Sequence, residues 1–196
     1  MKSVGLQIDS SSTKSQTVNI APDPIIMKRL VLTIAFTGLL FALGTGIASA
    51  QSAVDVTDNF YATLADLNVR GLPTDDQLKE LKPFLSAGLV SLIKRDQKKQ
   101  AAFIKKHPDE KPPWIEGDLF SSLFEGRTQY GIGKTRTKGS TREVDVYLQF
   151  NGETDKVKWT DTAVLKKFGD KWLVTNILFK GKWQFKSADS LLKALK

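Results

Sequence analysis

The sequence predicts an α+β fold in which N-terminal helices pack on a curved, four-stranded antiparallel sheet, followed by a short C-terminal helix. Three observations predict it. Apolar residues recur at helical spacing up to Pro113, they alternate with polar residues after Arg127, and turn signals cut that second half into four segments. The join is Trp114–Tyr130, W-I-E-G-D-L-F-S-S-L-F-E-G-R-T-Q-Y, which holds the densest mixture of acids, aromatics and glycines in the chain.

In the helical half, Ala53, Val56, Phe60, Leu64 and Leu67 form one stripe with Tyr61 beside it, predicting a first helix that ends near Asn68–Gly71. Thr74-Asp75-Asp76-Gln77 has the form of a capping box and opens a short helix through Leu78 and Leu81. Pro83 breaks it. Leu85, Leu89, Leu92 and Ile93 then mark a third helix continuing to Phe103 and Ile104. Its later part, K-R-D-Q-K-K-Q-A-A-F-I-K-K-H, reads as a solvated basic end, where cations are favoured by the helix dipole. Asp109–Pro113 reads as an exposed connection.

In the sheet half, Arg127–Thr137 is the weakest strand, with Gly131 and Gly133 predicting a bulge or bend. Lys138-Gly139-Ser140 turns the chain. Val144, Val146, Leu148 and Phe150 then alternate with Glu143, Asp145, Tyr147 and Gln149, as in a half-buried strand. After Asn151-Gly152, the residues Val157, Trp159, Ala163 and Leu165 share one face, interrupted only by Asp161. Gly169-Asp170 is a tight hairpin. Trp172–Phe179 is apolar on both parities, predicting a central or doubly covered strand that Trp183 and Phe185 extend. Ala188–Leu195 is the last short helix. The sheet, strongly twisted against three helices, predicts a half-open cone. Gly117 and Gly126 bracket L-F-S-S-L-F, which is expected to bury Leu119, Phe120 and Phe124.

Composition excludes several chemistries. The 196 residues are 41% hydrophobic, with no cysteine and one histidine. Disulfides, thiolate catalysis, Cys-ligated zinc and multi-His metal sites are ruled out. Glu116 and Asp118 lack the further oxygen ligands that calcium needs. Phosphate-loop, nucleophile-elbow and dinucleotide fingerprints are absent. No metal or cofactor is expected.

The N-terminus carries targeting information. Met27-Lys28-Arg29, an apolar run from Leu30 to Leu43 and Ala48-Ser49-Ala50 make a basic n-region, an h-region and an A-x-A cleavage site. Residues 27–50 are therefore expected to be a signal peptide cleaved after Ala50, giving a periplasmic or secreted protein that starts at Gln51. The rival reading is an uncleaved anchor, since the 21 residues Leu30–Ala50 lack charge. Residues 1–26 are expected to be disordered, or to precede the natural start. The whole chain carries +8, and residues 51–196 hold 25 basic against 19 acidic residues, or +6. For an exported chain, nucleic acid is not an expected partner, and the membrane is met only through the signal segment before cleavage.

Phe60-Tyr61, L-K-P-F-L-S-x-x-L at 81–89, E-G-D-L-F-S-S-L-F-E-G at 116–126, W-x-D at 159–161 and G-D-K-W-L-V-T-N-I at 169–177, in that order, carry a resemblance. The chain resembles a family of small exported bacterial proteins filed as a domain of unknown function, within the nuclear-transport-factor-2-like, or cystatin-like, superfamily. The resemblance spans about Ala53–Leu195. It implies a single cystatin-like domain over 51–196 and an envelope location. It implies no activity, because the superfamily holds dehydratases, isomerases, binding modules and dimerisation domains alike.

Three functional readings follow. As an enzyme of dehydratase or isomerase type, the chain would use Asp161, partly desolvated on an apolar strand face beside Trp159, with Tyr61, Asp118 and Glu125 converging on the same cavity. Against this, His107 lies in a loop, and Asp161 can equally be a turn or bulge residue bonding nearby backbone N–H groups. As a binding module, an aromatic-lined pocket of Tyr61, Trp114, Asp118, Glu125, Trp159 and Asp161 would hold a small apolar or amphipathic molecule. As an interaction protein, the outer sheet face with Glu143, Asp145, Tyr147, Lys156 and Lys158 would form a homodimer. Binding and interaction together outweigh catalysis.

Overall fold

The computed structural model describes residues 51–113, 117–183 and 188–195. The signal segment, residues 1–26, Trp114, Glu116 and Phe185 lie outside the described residues. Helix α1 (Ala53–Asp66) opens with a capping box: the Ser52 hydroxyl accepts from Asp55 N, and the Asp55 carboxylate accepts from Ser52 N. Its stripe Ala53, Val56, Phe60, Tyr61 and Leu64 is buried as expected. Helix α2 (Asp75–Leu81) has the predicted Thr74–Gln77 capping box. A 3₁₀ turn at Lys82–Phe84, with Pro83 in it, leads to helix α3 (Ala87–Lys106).

The basic end of α3 departs from expectation at one residue. Asp96 is fully buried, with Arg95 and Lys99 both on its Oδ1 and its Oδ2 without a partner. Its spacing explains this, because Leu89, Ile93 and Asp96 fall on one stripe. Arg95 also donates to the Leu195 carbonyl, tying α3 to the C-terminal segment.

The four strands are β1 (Gln129–Lys138), β2 (Thr141–Asn151), β3 (Lys156–Phe168) and β4 (Lys171–Leu178), antiparallel and in the order β1-β2-β3-β4. The short helix α4 (Leu191–Ala194) follows. The register shift between Ile132 and Thr135 puts the predicted bulge at Gly133. A second shift lies at Val164/Leu165. Helix α1 packs on β1, β2 and β4, with Val144, Val146, Leu148, Ala163 and Leu165 in the shared core. Among the described residues no helix is long and apolar enough to cross a membrane.

Of the two arrangements its composition predicts, central or doubly covered, the central one does not form: strand β4 lies at an edge of the sheet. Its free edge is covered: Leu85 bridges Val174, Ser86 N donates to the Val174 carbonyl, and Leu178 bridges Ser190. That covering accounts for apolar residues on both parities and shields an otherwise pairing-prone edge. Trp183 lies beyond β4 rather than extending it. Phe124 is 60% exposed, although Phe120 is fully buried and Leu119 packs against the core. The difference follows from the backbone: Gly117, at φ +84°, sits under the Phe124 ring, so the segment closes on itself and leaves that ring outside.

Candidate functional site

Asp161 is the side chain on which two separate backbone segments converge. It is fully buried. Its Oδ2 accepts from Ser122 N at 2.8 Å and from Trp159 Nε1 at 3.2 Å, and its Oδ1 accepts from Lys180 N at 2.8 Å. The strand alternation that aims Trp159 inward aims Asp161 inward as well. Once there, a carboxylate needs donors, and the 117–127 segment and the chain leaving β4 supply them. Ser122 continues the connection, its hydroxyl accepting from Gly181 N at 3.2 Å and from Trp183 Nε1 at 3.3 Å. Trp183 meets Trp159 edge-on, with centroids 5.7 Å apart.

Tyr61 and Asp118 lie on the other side of the same segment. The Asp118 carboxylate accepts from Phe120 N at 2.9 Å and pairs with Arg127, both side chains being nearly enclosed. The Arg127 guanidinium in turn lies over the Tyr61 ring, 5.2 Å from its centroid. The Tyr61 hydroxyl reaches the Phe120 carbonyl at 3.5 Å. Burial, with the Asp161 carboxylate behind it, pushes the Tyr61 phenol far above its usual value, so this hydroxyl stays protonated. Sequence pattern alone does not single out Arg127. The available signal was that it is the sole cation in Trp114–Tyr130.

The expected constellation thus assembles only in part. Tyr61, Asp118, Trp159 and Asp161 do gather around residues 117–127. Each polar group among them is engaged in holding that segment. Glu125 is exposed, and its contribution is a backbone carbonyl that accepts from Arg70 Nη1 at 2.6 Å. Gly126 lets the turn close: at φ +82°, an added Cβ would lie 2.8 Å from Arg70 Nη1 and 2.9 Å from the Asp118 Cβ.

Among the described residues two clefts border this framework, and Asp161 lines neither. One, of about 320 Å³, lies at the C-terminal end of α1 between Leu64, Val69, Arg70, Asp118, Arg127 and Tyr130. The other, of about 440 Å³, crosses β1, β2 and β3. Register places Gly131, Tyr147 and Thr160 in one row and Gln129, Gln149 and Lys158 in the next, on the face opposite Val146 and Leu148. Tyr147 is 48% exposed and packs on Gly133, where an added Cβ would come within 2.8 Å of its Cζ. At Gly131 an added Cβ would meet nothing within 4 Å, so the floor there is open.

The acids of that outer face are paired within the sheet. Arg136 donates twice to Asp145, at 2.5 and 2.6 Å, and Thr162 Oγ1 donates to it at 2.8 Å. Glu143 lies 3.7 Å from both Arg136 and Lys138. Two acids of the predicted dimer face are therefore already paired. Arg136, and less strongly Thr162, hold the Asp145 carboxyl down at about 2, against an ordinary 3.8. A depressed carboxylate contributes stability that is present above pH 4 and lost as pH falls toward 2. The stability advantage of the wild type over Asp145→Asn should accordingly be full at pH 6 and mostly lost by pH 2. Equal pH profiles in urea denaturation would overturn the assignment.

Comparisons with family models, with curated proteins and with solved structures each return no match.

Proposed function

We propose that residues 51–196 form a non-catalytic binding module of nuclear-transport-factor-2-like type, exported after cleavage at Ala50, that takes a small amphipathic ligand in the groove of the outer sheet face. One observation carries the reading. The buried carboxylate that would do chemistry, Asp161, is taken up by two backbone N–H groups and the Trp159 indole, while the larger cleft opens beside a half-exposed tyrosine on a floor cleared by Gly131. Its volume falls within the range of small-ligand sites. The bulges in the β1–β2 and β3–β4 pairs support a curved, cystatin-like sheet, because a bulged strand bends. Catalysis by Asp161 has less support: its oxygens hold three donors, and neither cleft reaches it.

The test uses protein recovered from the envelope of its native host. Its intact mass should correspond to a start at Gln51. The low-molecular-weight fraction of that envelope should shift the backbone amide signals of Gly131 and Thr160, and Gly131→Leu should remove those shifts without changing the melting temperature. An uncleaved mass would sink the export reading. Absence of shifts, or shifts indifferent to Gly131→Leu, would sink the groove.

A further inference from the structure

The groove's lining says which chemistry suits it. Tyr130 and Trp159 border it from the cross-strand row of Leu148 on the inner face, so its outer-face aromatic wall is the Tyr147 ring, packed on Gly133 and already ordered before a ligand arrives. Beside it stand two amides and a hydroxyl, from Gln129, Gln149 and Thr160. Gln149 gives an amide N–H to Asn151 Oδ1 at 2.5 Å, which leaves its carbonyl oxygen as an acceptor. Such groups both donate and accept. No carboxylate lines the groove, and Lys158 has no ion-pair partner among the described residues.

Each alternative ligand leaves part of this lining unused. A purely apolar molecule would strand the amides away from water. A polyphosphate would call for more than one cation. An extended peptide gains its affinity from main-chain pairing at a sheet edge, whereas this groove runs across the face of three paired strands. A pyranose uses all of it. The C–H face of the ring is drawn to the negative face of an aromatic. Its hydroxyls match groups that donate and accept, and a carboxylate on the ring would find a cation.

We propose that the groove of Gln129, Gly131, Tyr147, Gln149, Lys158 and Thr160 binds a carboxylate-bearing saccharide, with Tyr147 stacking on a sugar ring and Lys158 taking the carboxylate. The proposal rests on the binding-module reading and specifies its ligand class.

The experiment follows backbone amide shifts of the full ¹⁵N-labelled chain during titration with trigalacturonate, with neutral maltotriose and with triglutamate. Trigalacturonate should shift Gly131, Gln149 and Thr160, and maltotriose should shift the same amides about tenfold more weakly, as befits one charge-assisted contact. Lys158→Gln should erase that difference. Tyr147→Ala should abolish both responses, and Gly131→Leu should do so with the melting temperature unchanged. No shift at 10 mM of either sugar (a ceiling of about −2.7 kcal/mol) would overturn the proposal. So would triglutamate shifting the same amides equally, since charge alone would then suffice. If the envelope fraction still gives shifts that Gly131→Leu removes while the sugars give none, the binding module stands and the saccharide class falls. If neither gives shifts, both fall.

Discussion

Asp161→Asn should destabilise the folded region by about 2–4 kcal/mol, because it disrupts hydrogen bonds to a buried charged acceptor that serves three donors. An amide has one acceptor oxygen where the carboxylate has two, so its NH₂ group must face Lys180 N–H or the pair from Ser122 and Trp159. For a region of this size the loss corresponds to a fall in melting temperature of roughly 4–16 °C. Equilibrium urea denaturation measures the free energy. Hydrogen exchange adds a local readout, since the Ser122 and Lys180 amides should lose protection before the sheet does. A variant as stable as the wild type would remove the structural role. It would also return Asp161 to the candidates for catalysis, where loss of activity at unchanged stability is the signature.

The second large effect is expected at the Asp118–Arg127 pair. Arg127→Met leaves the Asp118 carboxylate nearly enclosed with Phe120 N–H as its remaining donor, which should cost about 3–5 kcal/mol. Asp118→Asn should cost less, since a neutral amide can still accept from Phe120 N. Arg127 already has its Nε buried without a partner, so part of its desolvation is uncompensated in the native protein. The double variant should therefore be less destabilised than the two losses added together, by about 1–3 kcal/mol. Urea denaturation of the three proteins completes the cycle. Additive losses would mean that the two side chains do not interact, whatever their proximity.

These two expectations concern one piece of chain. Residues 117–127 are fixed from below by Asp161, from one side by Arg127 over Tyr61, and at their end by Arg70 on the Glu125 carbonyl. A segment held at that many points works as a fixed brace between α1 and the sheet. This is why its acids, which looked like site residues, are engaged in holding the fold. The exposed remainder of the segment, Phe124 and the Glu125 side chain, faces away from that framework.

Much of the fold was legible in residue patterns. The capping box at Thr74 is purely local chemistry, a hydroxyl and an amide three residues apart, and it forms as read. The stripe of α1 and the alternation of β2 are periodicities, and they bury as read. The bulge at Gly133 follows from the cost of glycine in a regular strand. What misled was composition detached from position. Two-sided apolarity left β4 either central or doubly covered, and an edge covered by Leu85, Ser86 and Ser190 carries the same residues. A run of lysines suggested a solvated helix end, and one aspartate within it, Asp96, instead follows the core stripe.

The candidate site was legible to a smaller degree. That Asp161 turns inward is a matter of parity along β3, and parity belongs to the sequence. What Asp161 meets there does not. Its donors come from Ser122 and Lys180, separated from it by 39 and 19 residues, and only the packing of the 117–127 segment and of the chain beyond β4 brings them to it. Parity also put Tyr147 and Lys158 on the outer face, but not the groove between them, which exists where glycines in one strand align with a tyrosine in the next, and register across strands is a tertiary quantity. The sequence by itself determined the order of elements, their inward faces, the chemistries this chain lacks the residues for, and the expectation of export. Only the tertiary structure decided which of the inward polar groups were bound into the fold and which surface was left open. The physical reason is that local patterns set where a side chain points, whereas its partners are set by segments far apart in the chain.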